Sequence, residues 1–523
     1  MQTIHAAFAI GLTLLAIARP AAGAAALPPP ETPGVPIAPG QIERAVAQLD
    51  GLVATIRQRT GIPGLAVAVV RDGRTVYAKG FGLRRVGAPG KVDADTVFQL
   101  ASLSKPVGAT VVAREVGLHV VAWDTQVIAH LPWFALRDDW VTRHVTIADM
   151  YAHRSGLPDH GGDDLEDLGY DRRQVLERLR LLALHSFRDE YAYTNFGVTA
   201  AAESVAAAAG TDWASLSEQA IYQPLGMTAT SSRFADFVKR DDRAVGHVRV
   251  GGAWVAKYQR DPDAQSPAGG VSSSARDMAR WMTMVLQGGV FEGRTIVDRA
   301  ALLPATTAEI VTAPARSMTA RPSLYGYGFN TGVEPSGRTE MSHSGGFDLG
   351  AATNFIMIPS AGVGIVALSN AQPIGAVEAL DASFADLVQF GRITRDWLAA
   401  YQQVLGPMLD PVGALHGRSP PANPAPAAGL LSYEGTYAND YFGEARIAVR
   451  GNALVLTIGP RDMTFPLRHW DGNVFVYAPA GENAPDGSIS KVTFAMDAMG
   501  RASSMAIEFY ADSGYGDFTR KDN

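Results

Sequence analysis

Residues 64–82 have the sequence GLAVAVVRDGRTVYAKGFG, which indicates the fold class of the first domain. An apolar run ends at Asp72-Gly73, and a second strand-like run, residues 75–82, follows it. An Asp-Gly pair between two such runs is a strong signal for a β-hairpin. Residues 41–59 precede the hairpin with apolar side chains at helical spacing. A helix followed by an antiparallel hairpin predicts an α+β domain and not a parallel, doubly wound sheet.

Strand patterns return late in this domain. Residues 353–358 and 363–368 flank the turn-like sequence Pro-Ser-Ala-Gly, whereas the chain from about residue 100 to 300 is mostly helical in pattern. We therefore expect one antiparallel sheet with strands from both ends of the domain. We also expect a mostly helical subdomain beside this sheet, with the cleft between them.

The second half of the chain contains a clear domain boundary. Residues 393–404 predict a closing helix, and residues 417–429 (GRSPPANPAPAAG) have the composition of a linker. Beyond them, seven or so short strand patterns predict a small barrel or sandwich. The predicted units are a first domain over residues 41–405, a Pro/Ala-rich linker over 406–429 and an all-β domain over 430–523.

The N-terminus is typical of a signal peptide. An apolar run, residues 6–18, is too short for a membrane anchor and is followed by Ala22-Gly23-Ala24, which resembles a cleavage site. No lysine or arginine precedes the run, so a buried or disordered tail is the alternative. We predict a signal peptide over residues 1–24, a Pro-rich linker over 25–40, and a periplasmic or secreted protein.

Composition excludes several classes of function. The 523 residues carry a net charge of -7 with no block rich in lysine and arginine, so nucleic acid is not an expected partner. Without any cysteine, disulfides, thiol catalysis and cysteine metal ligands are excluded. A polar cluster could hold a metal, but a solvated loop is the favoured interpretation; its members are His153, Asp159, His160, Asp163 and Asp164. We expect no metal, no organic cofactor and no membrane span in the mature chain.

Residues 98–106 (FQLASLSKP) contain the first candidate for chemistry. If Ser102 begins a helix, Lys105 lies one turn later on the same face. A serine hydroxyl needs an adjacent base to act as a nucleophile, and a buried lysine with a lowered pKa can be that base. The helix N-terminus also favours the negative charge that develops during attack. The pair is a weak signal alone, because exposed serine and lysine often share a helix face.

The surrounding sequence resembles the penicillin-recognising serine hydrolases, which include class C β-lactamases, DD-carboxypeptidases, D-aminopeptidases and related esterases. ASLSKP is similar to the family's S-x-x-K context, in which the serine is the nucleophile. Tyr193-Thr194-Asn195 resembles the second family motif, Y-x-N. The resemblance implies that Tyr193 moves protons, partly as a phenolate, and that Asn195 holds a substrate amide.

The third motif is His343-Ser344-Gly345-Gly346, at the start of a predicted strand. The family carries K-T-G or H-x-G here. The resemblance implies that these residues contact substrate, that His343 assists Tyr193, and that the backbone N–H groups of Gly346 and Ser102 form an oxyanion hole. β-Lactamases usually have lysine where this chain has His343. A mostly neutral histidine therefore lowers the expected β-lactam hydrolysis.

Supporting segments extend the resemblance over residues 45–390, and they imply a β-lactamase/transpeptidase-like domain. Residues 150–158 (MYAHRSGLP) and 267–278 (PAGGVSSSARDM) are similar to family segments, in which we interpret His153 and Asp277 as structural. The region from residue 430 resembles the lipocalin-like barrel of some family peptidases. We expect that barrel to be a packing or oligomerisation module, a ligand-binding module, or a gate over the cleft.

These features predict a serine hydrolase that acts through an acyl-enzyme. The favoured substrates are small or non-standard peptides, such as peptides with D-residues, cell-wall fragments or a linearised cyclic peptide such as microcystin. The alternatives are a carboxylesterase, then a β-lactamase, or a penicillin-binding sensor that is acylated without turnover. A small molecule or short peptide is the expected partner, and a homo-oligomer is possible.

Overall fold

The computed structural model describes residue 28 and residues 31–521. The predicted signal peptide and part of the linker that follows it lie outside the described residues. The α-helices are α1 (Gln41–Ala47), α2 (Leu49–Thr60), α3 (Ser104–Gly117), α4 (Asp139–His144), α5 (Ile147–Tyr151), α6 (Asp163–Asp167), α7 (Arg172–Arg178), α8 (Asn195–Ala208), α9 (Trp213–Ser217), α10 (Gln223–Leu225), α11 (Phe234–Lys239), α12 (Ser266–Gly269), α13 (Ala275–Leu286), α14 (Arg299–Leu302), α15 (Ala376–Phe390) and α16 (Trp397–Leu405).

The strands of the first domain are β1 (Gly64–Arg71), β2 (Arg74–Gly82), β3 (Phe98–Gln99), β4 (Val248–Val250), β5 (Ala253–Val255), β6 (Ser272–Ser273), β7 (Val290–Phe291), β8 (Arg294–Thr295), β9 (Ile310–Ala313), β10 (Ser323–Tyr325), β11 (Asn330–Val333), β12 (Thr339–Phe347), β13 (Ala351–Ile358) and β14 (Val363–Ser369). Those of the second domain are β15 (Gly435–Asn439), β16 (Gly443–Arg450), β17 (Ala453–Ile458), β18 (Met463–Asp471), β19 (Val474–Tyr477), β20 (Ser490–Met496), β21 (Ala502–Ile507) and β22 (Asp517–Arg520).

The first domain is built on an antiparallel sheet in the order β2-β1-β14-β13-β12-β11-β10-β9. Because β1 pairs with β14, strands from both ends of the domain meet in one sheet, which confirms the predicted α+β architecture. Leu65 and Val67 of β1 pack into a core with α1, α2 and α15, whereas Ala66 and Ala68 enter the core on the opposite face. Burial on both faces explains the continuous apolar run in β1.

The bounds of two predicted helices differ from the structure. The helix predicted over residues 41–59 is divided at Gln48, whose N–H bonds to the carbonyl of Ala45, in a tighter turn than the α-helical pattern. The closing helix starts at Trp397 and not at residue 393, because the Asp396 side chain caps it by accepting the N–H of Ala399.

The second domain is a closed antiparallel barrel in the order β15 to β22. The strand that the sequence analysis missed is β22, which pairs with both β15 and β21 and so closes the barrel. Aromatic side chains fill the interior, among them Tyr437, Phe442, Phe494 and Phe518, all almost fully buried. Because the interior is filled, only the outer surface and the loops of the barrel can contact the first domain.

The barrel docks against the segment that contains α6 and α7. Tyr170 Oη donates to the carbonyl of Phe442 at 2.7 Å, and Tyr515 Oη donates to the carbonyl of Leu181 at 2.8 Å. The predicted linker also follows the barrel surface, since the N–H of Ile489 bonds to the carbonyl of Val412 at 3.0 Å. These contacts hold a barrel loop, residues 478–489, beside the cleft of the first domain.

Candidate active site

Ser102 lies in a 3-10 turn, Ala101–Leu103, that leads directly into α3. Ala101 has a φ of 48°, in the left-handed region that alanine rarely adopts. Two hydrogen bonds hold this strained turn: Thr353 Oγ1 donates to the carbonyl of Leu100, and Ser104 Oγ donates to that of Ala101, both at 2.7 Å. The sheet and the helix together fix the backbone at Ser102.

Lys105 is fully buried beneath Ser102. Its Nζ lies 3.2 Å from Ser102 Oγ, and it also bonds to Asn195 Oδ1 at 2.6 Å and to the carbonyl of Ala268 at 3.1 Å. Burial lowers the pKa of Lys105 to about 7, against the opposing effect of the Asp163 charge. At neutral pH a large fraction of Lys105 is therefore the free amine, which can accept the serine proton.

Tyr193 completes the contacts of the serine hydroxyl. Its Oη donates to Ser102 Oγ at 2.8 Å, and Lys105 Nζ lies 4.4 Å from the centre of its ring. Burial raises the pKa of Tyr193 well above its usual value, and the hydrogen bond to Ser102 offsets only part of this effect. The phenolate expected from the sequence is therefore disfavoured, and the neutral phenol is a proton donor.

Asn195 links Lys105 to residues that sequence analysis assigned to a solvated loop. Asn195 Nδ2 donates to Asp163 Oδ2 at 2.8 Å, and His160 Nδ1 lies 2.8 Å from the same oxygen. Asp163 is buried, so the prediction of a solvated loop is wrong at this position. Its carboxylate orients the Asn195 amide so that the amide oxygen faces Lys105. Among the described residues, no group of three or more His, Asp, Glu or Cys side chains could hold a metal ion.

His343 is buried, and it hydrogen-bonds to Tyr325 and not to Tyr193, which is the tyrosine that the sequence analysis expected. Its Nε2 lies 2.9 Å from Tyr325 Oη, and its Nδ1 lies 2.6 Å from the carbonyl of Ser344. Burial, and then the charge of Lys105, lowers the pKa of His343 to about 3, so the ring is neutral. In the described structure, no hydrogen bond joins His343 to Tyr193, so the expected direct assistance to Tyr193 has no contact behind it.

The three residues after His343 divide between the two faces of β12. Ser344 Oγ donates to Glu378 of α15, so its side chain points away from Ser102. Gly345 packs on the nucleophile turn so closely that an added Cβ would lie 2.5 Å from the carbonyl oxygen of Leu100. Gly346 is exposed and lines the same cavity as Ser102. Gly346, and not Ser344, therefore lines the cavity that contains Ser102.

This cavity, which we call the catalytic cavity, has a volume of about 300 Å³. Ser102, Tyr193, Asn195 and Gly346 line it from the first domain, and Glu482, Asn483 and Pro485 line it from the barrel loop. Asp167 fixes that loop by accepting the N–H groups of Glu482 and Asn483, each at 3.0 Å. The barrel therefore forms one wall of the catalytic cavity.

A buried arginine joins the loop to the first domain. Arg260 Nη2 bonds to Glu166 Oε2 at 2.6 Å, and its Nε lies 3.8 Å from Glu482 Oε2. Sequence analysis missed Arg260 and Glu482, because no local pattern connects residues of two different domains. The signal that the sequence did offer was Glu482 itself, a charged residue between two strand patterns of the barrel.

The two segments that resemble further family segments make structural contacts through His153 and Asp277. His153 Nδ1 accepts the N–H of Thr194 at 3.1 Å and fastens the loop before α8. Asp277 Oδ2 accepts the N–H of Ala229 at 2.8 Å and the hydroxyl of Thr230 at 2.9 Å. Neither residue lines the catalytic cavity.

The pKa of Lys105 predicts the pH dependence of acylation. The reactive form is the free amine, so kcat/KM is expected to rise about tenfold per pH unit below pH 7 and to level off above about pH 8. The Asp163 charge raises the pKa of Lys105, and Asp163→Asn is therefore expected to move the rising limb to lower pH. Initial rates measured from pH 5 to 9 check both the rise of kcat/KM with pH and its shift to lower pH in Asp163→Asn. A profile that is flat through pH 7 would contradict the role of Lys105.

Comparisons with known proteins are consistent with this geometry. The family model described as Beta-lactamase matches residues 49–390, and one described as Domain of unknown function (DUF3471) matches residues 419–520. The octameric penicillin-binding protein homologue from Pyrococcus abyssi has a similar structure, with a TM-score of 0.59 and 19% identity over 91% of this chain and all of that chain. This likeness shows the shared fold.

Three curated relatives are similar in sequence. "Unguisins hydrolase ungD'" of Aspergillus campestris is 28% identical over 60% of this chain, and the match covers 59% of that relative, less than two thirds of its length. "Unguisins hydrolase ungD" of Aspergillus violaceofuscus is 25% identical over 74% of each chain. "D-alanyl-D-alanine-carboxypeptidase/endopeptidase AmpH" of Escherichia coli is 23% identical over 63% of this chain and 85% of the relative. Among the described residues, no helix is both long and apolar enough to cross a membrane.

Proposed function

Because the chain belongs to the beta-lactamase family of serine hydrolases, we propose that it is a peptidase that cleaves amide bonds in small or non-standard peptides through an acyl-enzyme. The observation that carries the proposal is the position of Ser102 Oγ, 3.2 Å from Lys105 Nζ and 2.8 Å from Tyr193 Oη. One neighbour can accept the serine proton and the other can donate a proton. An amide leaving group needs both steps.

The proposed reaction proceeds in two halves. The free amine of Lys105 takes the proton of Ser102, whose oxygen bonds to the substrate carbonyl carbon, and the N–H groups of Ser102 and Gly346 stabilise the resulting oxyanion. The C–N bond breaks as Tyr193 donates its proton to the leaving nitrogen, and Lys105 returns a proton to the phenolate. Water then attacks the ester, and the same groups transfer its proton back to Ser102.

Two features favour peptides over β-lactam drugs as substrates. His343 is neutral and bonded to Tyr325, so it supplies no fixed positive charge for the carboxylate of a drug. Glu482 and Asn483 of the barrel loop form part of the wall of the catalytic cavity. Their polar side chains offer contacts to an extended peptide substrate. The relatives named above carry the names of an unguisins hydrolase and of a D-alanyl-D-alanine-carboxypeptidase/endopeptidase. We therefore propose peptides with D-residues, including cell-wall fragments and linearised cyclic peptides such as microcystin.

We also place the mature protein in the periplasm or outside the cell. This proposal rests on the apolar run and the Ala-Gly-Ala site near the N-terminus. N-terminal sequencing of the protein recovered from the periplasmic fraction and the medium tests it. A chain that starts near Ala25 supports export, and an uncleaved chain in the cytosol opposes it.

Mass-spectrometric product analysis on a mixed panel tests the proposed function. The panel contains D- and L-aminoacyl amides, linear peptides with D-residues, short acyl esters and a cephalosporin. Peptide products that require Ser102 support the proposal. Turnover of esters alone would replace it with a carboxylesterase, and a stable adduct of the opened cephalosporin without turnover would indicate a sensor.

Replacing His343 with lysine is expected to change substrate preference. His343→Lys introduces a side chain that can carry a positive charge at the position where β-lactamases usually have lysine, so we expect the ratio of β-lactam acylation to peptide hydrolysis to rise about tenfold. His343→Gln is the matched neutral control and leaves the ratio near that of the native protein. Stopped-flow acylation by the cephalosporin and peptide turnover give the two rates. An unchanged ratio in His343→Lys would show that this position does not set specificity.

A further inference from the structure

A second cavity, of about 540 Å³, lies between the first domain and the barrel. It shares four lining residues with the catalytic cavity: His160, Asp163, Val412 and Asn483. The two cavities therefore meet along one wall, and each has a volume typical of a ligand site. We call the second cavity the acid chamber, because of the residues that line it.

Carboxylates from both domains line the acid chamber. The segment around α6 contributes Asp159, Asp163 and Asp164, and the barrel contributes Glu508 and Asp512. Among the described residues, neither lysine nor arginine lines it. His160 is its one basic side chain in that lining, and its Nδ1 is already bonded to Asp163. The lining therefore contains five carboxyl groups and one imidazole.

One of these carboxylates has an unused acceptor inside the protein. Asp163 is buried, with 7% of its surface exposed, and Oδ2 takes the bonds from Asn195 and His160. Its Oδ1 is buried without any hydrogen-bond partner. A buried carboxylate oxygen without a donor is costly, so the site favours a ligand that supplies N–H groups or positive charge.

The environment of Asp164 disfavours its negative charge, and a cation bound beside it would offset that penalty. Burial, and then the charges of Asp167 and Asp163, raises the pKa of Asp164 to about 7, although Asn483 Nδ2 donates to it at 3.2 Å. Glu508 differs, because the N–H groups of Ala414 and Lys491 already bind its two oxygens. Tyr441 and Phe509 add aromatic side chains to the lining.

We propose that the acid chamber binds an ammonium or guanidinium group of the peptide whose scissile carbonyl lies at Ser102. The proposal rests on the proposed function and narrows the substrate class to peptides that carry a cation away from the reacting bond. The cation comes either from a basic side chain or from a free N-terminus. Both present N–H donors and a positive charge, which the carboxyl groups of the chamber can bind.

Matched peptides distinguish the two sources. One pair places lysine or the neutral norleucine on either side of the scissile bond, and a second pair has a free or an acetylated N-terminus. Calorimetry on Ser102→Ala measures binding without turnover, and product analysis on the native protein measures hydrolysis.

The variants that test the acid chamber are Asp164→Asn and Asp512→Asn. The control is Asp462→Asn, whose residue is exposed, has a φ of 48° that asparagine adopts readily, and lines neither cavity.

We expect the cationic member of at least one pair to bind about tenfold or more tightly, and the two chamber variants to remove most of this preference, while the control keeps it. Equal binding of charged and neutral peptides, or a preference that survives in both variants, would overturn the proposal. Cation-selective binding without hydrolysis of any peptide would instead overturn the proposed function. Hydrolysis without cation selectivity would overturn the acid chamber alone.

Discussion

Ser102→Ala lowers kcat/KM for every substrate that the native protein hydrolyses by at least about 1,000-fold. The physical reason is that Ser102 Oγ is the atom that bonds to the substrate, and both proton-transferring groups, Lys105 and Tyr193, are placed around it. The remaining activity would come from the oxyanion site and from binding alone. Initial rates on the peptide panel measure the loss.

The control for this result is Ser503→Ala, a change at an exposed serine of the barrel. It is expected to keep native activity, and thermal melting of both variants shows whether each is folded. Retained peptide hydrolysis in a folded Ser102→Ala would remove the whole mechanism. No other hydroxyl in the described structure contacts the Lys105 amine.

Lys105→Ala is expected to lower the acylation rate by about 100- to 10,000-fold, the range for removal of a general base. Without the amine, no group beside Ser102 has a pKa that lets it accept a proton at pH 7, since Tyr193 is neutral and donates. The rate at which a fluorophosphonate reacts with Ser102 measures this effect, and it does so independently of any peptide substrate.

Chemical rescue separates lost chemistry from lost structure in this variant. The truncated side chain leaves room beside Asn195 Oδ1 and the Ala268 carbonyl, which bind the native amine. Small primary amines are expected to restore part of the rate in proportion to their concentration, and their free-base form is the active one. Lys79→Ala, at an exposed lysine, is the control. A loss of less than about tenfold in Lys105→Ala would assign the base to another group.

The parts of this account that could be predicted from sequence have local causes. The Asp72-Gly73 hairpin and the pair Ser102 and Lys105 follow from geometry over a few residues, and both are present in the structure. Tyr193 follows Ser102 by 91 residues, so it was predicted only through the motif that it shares with a family. Composition and periodicity could not have brought these two residues together.

The parts that were missed depend on the tertiary structure. Asp163 lies in a polar stretch that is typical of a solvated loop, yet folding buries it beneath Asn195. The phenolate expected of Tyr193 is disfavoured by burial, and sequence does not show how much desolvation a side chain suffers. Glu482 enters the catalytic cavity only because the barrel docks on α6 and α7, and no pattern within the barrel encodes that contact.

The most direct test of the central claim is to trap and locate the acyl group. The purified protein is mixed with an activated acyl ester, quenched in acid within the first turnover, digested, and analysed by mass spectrometry. The account predicts that the peptide containing Ser102 gains the mass of the acyl group, and that Ser102→Ala gains none. Turnover with the acyl group on another residue, or an equal adduct in Ser102→Ala, would contradict it.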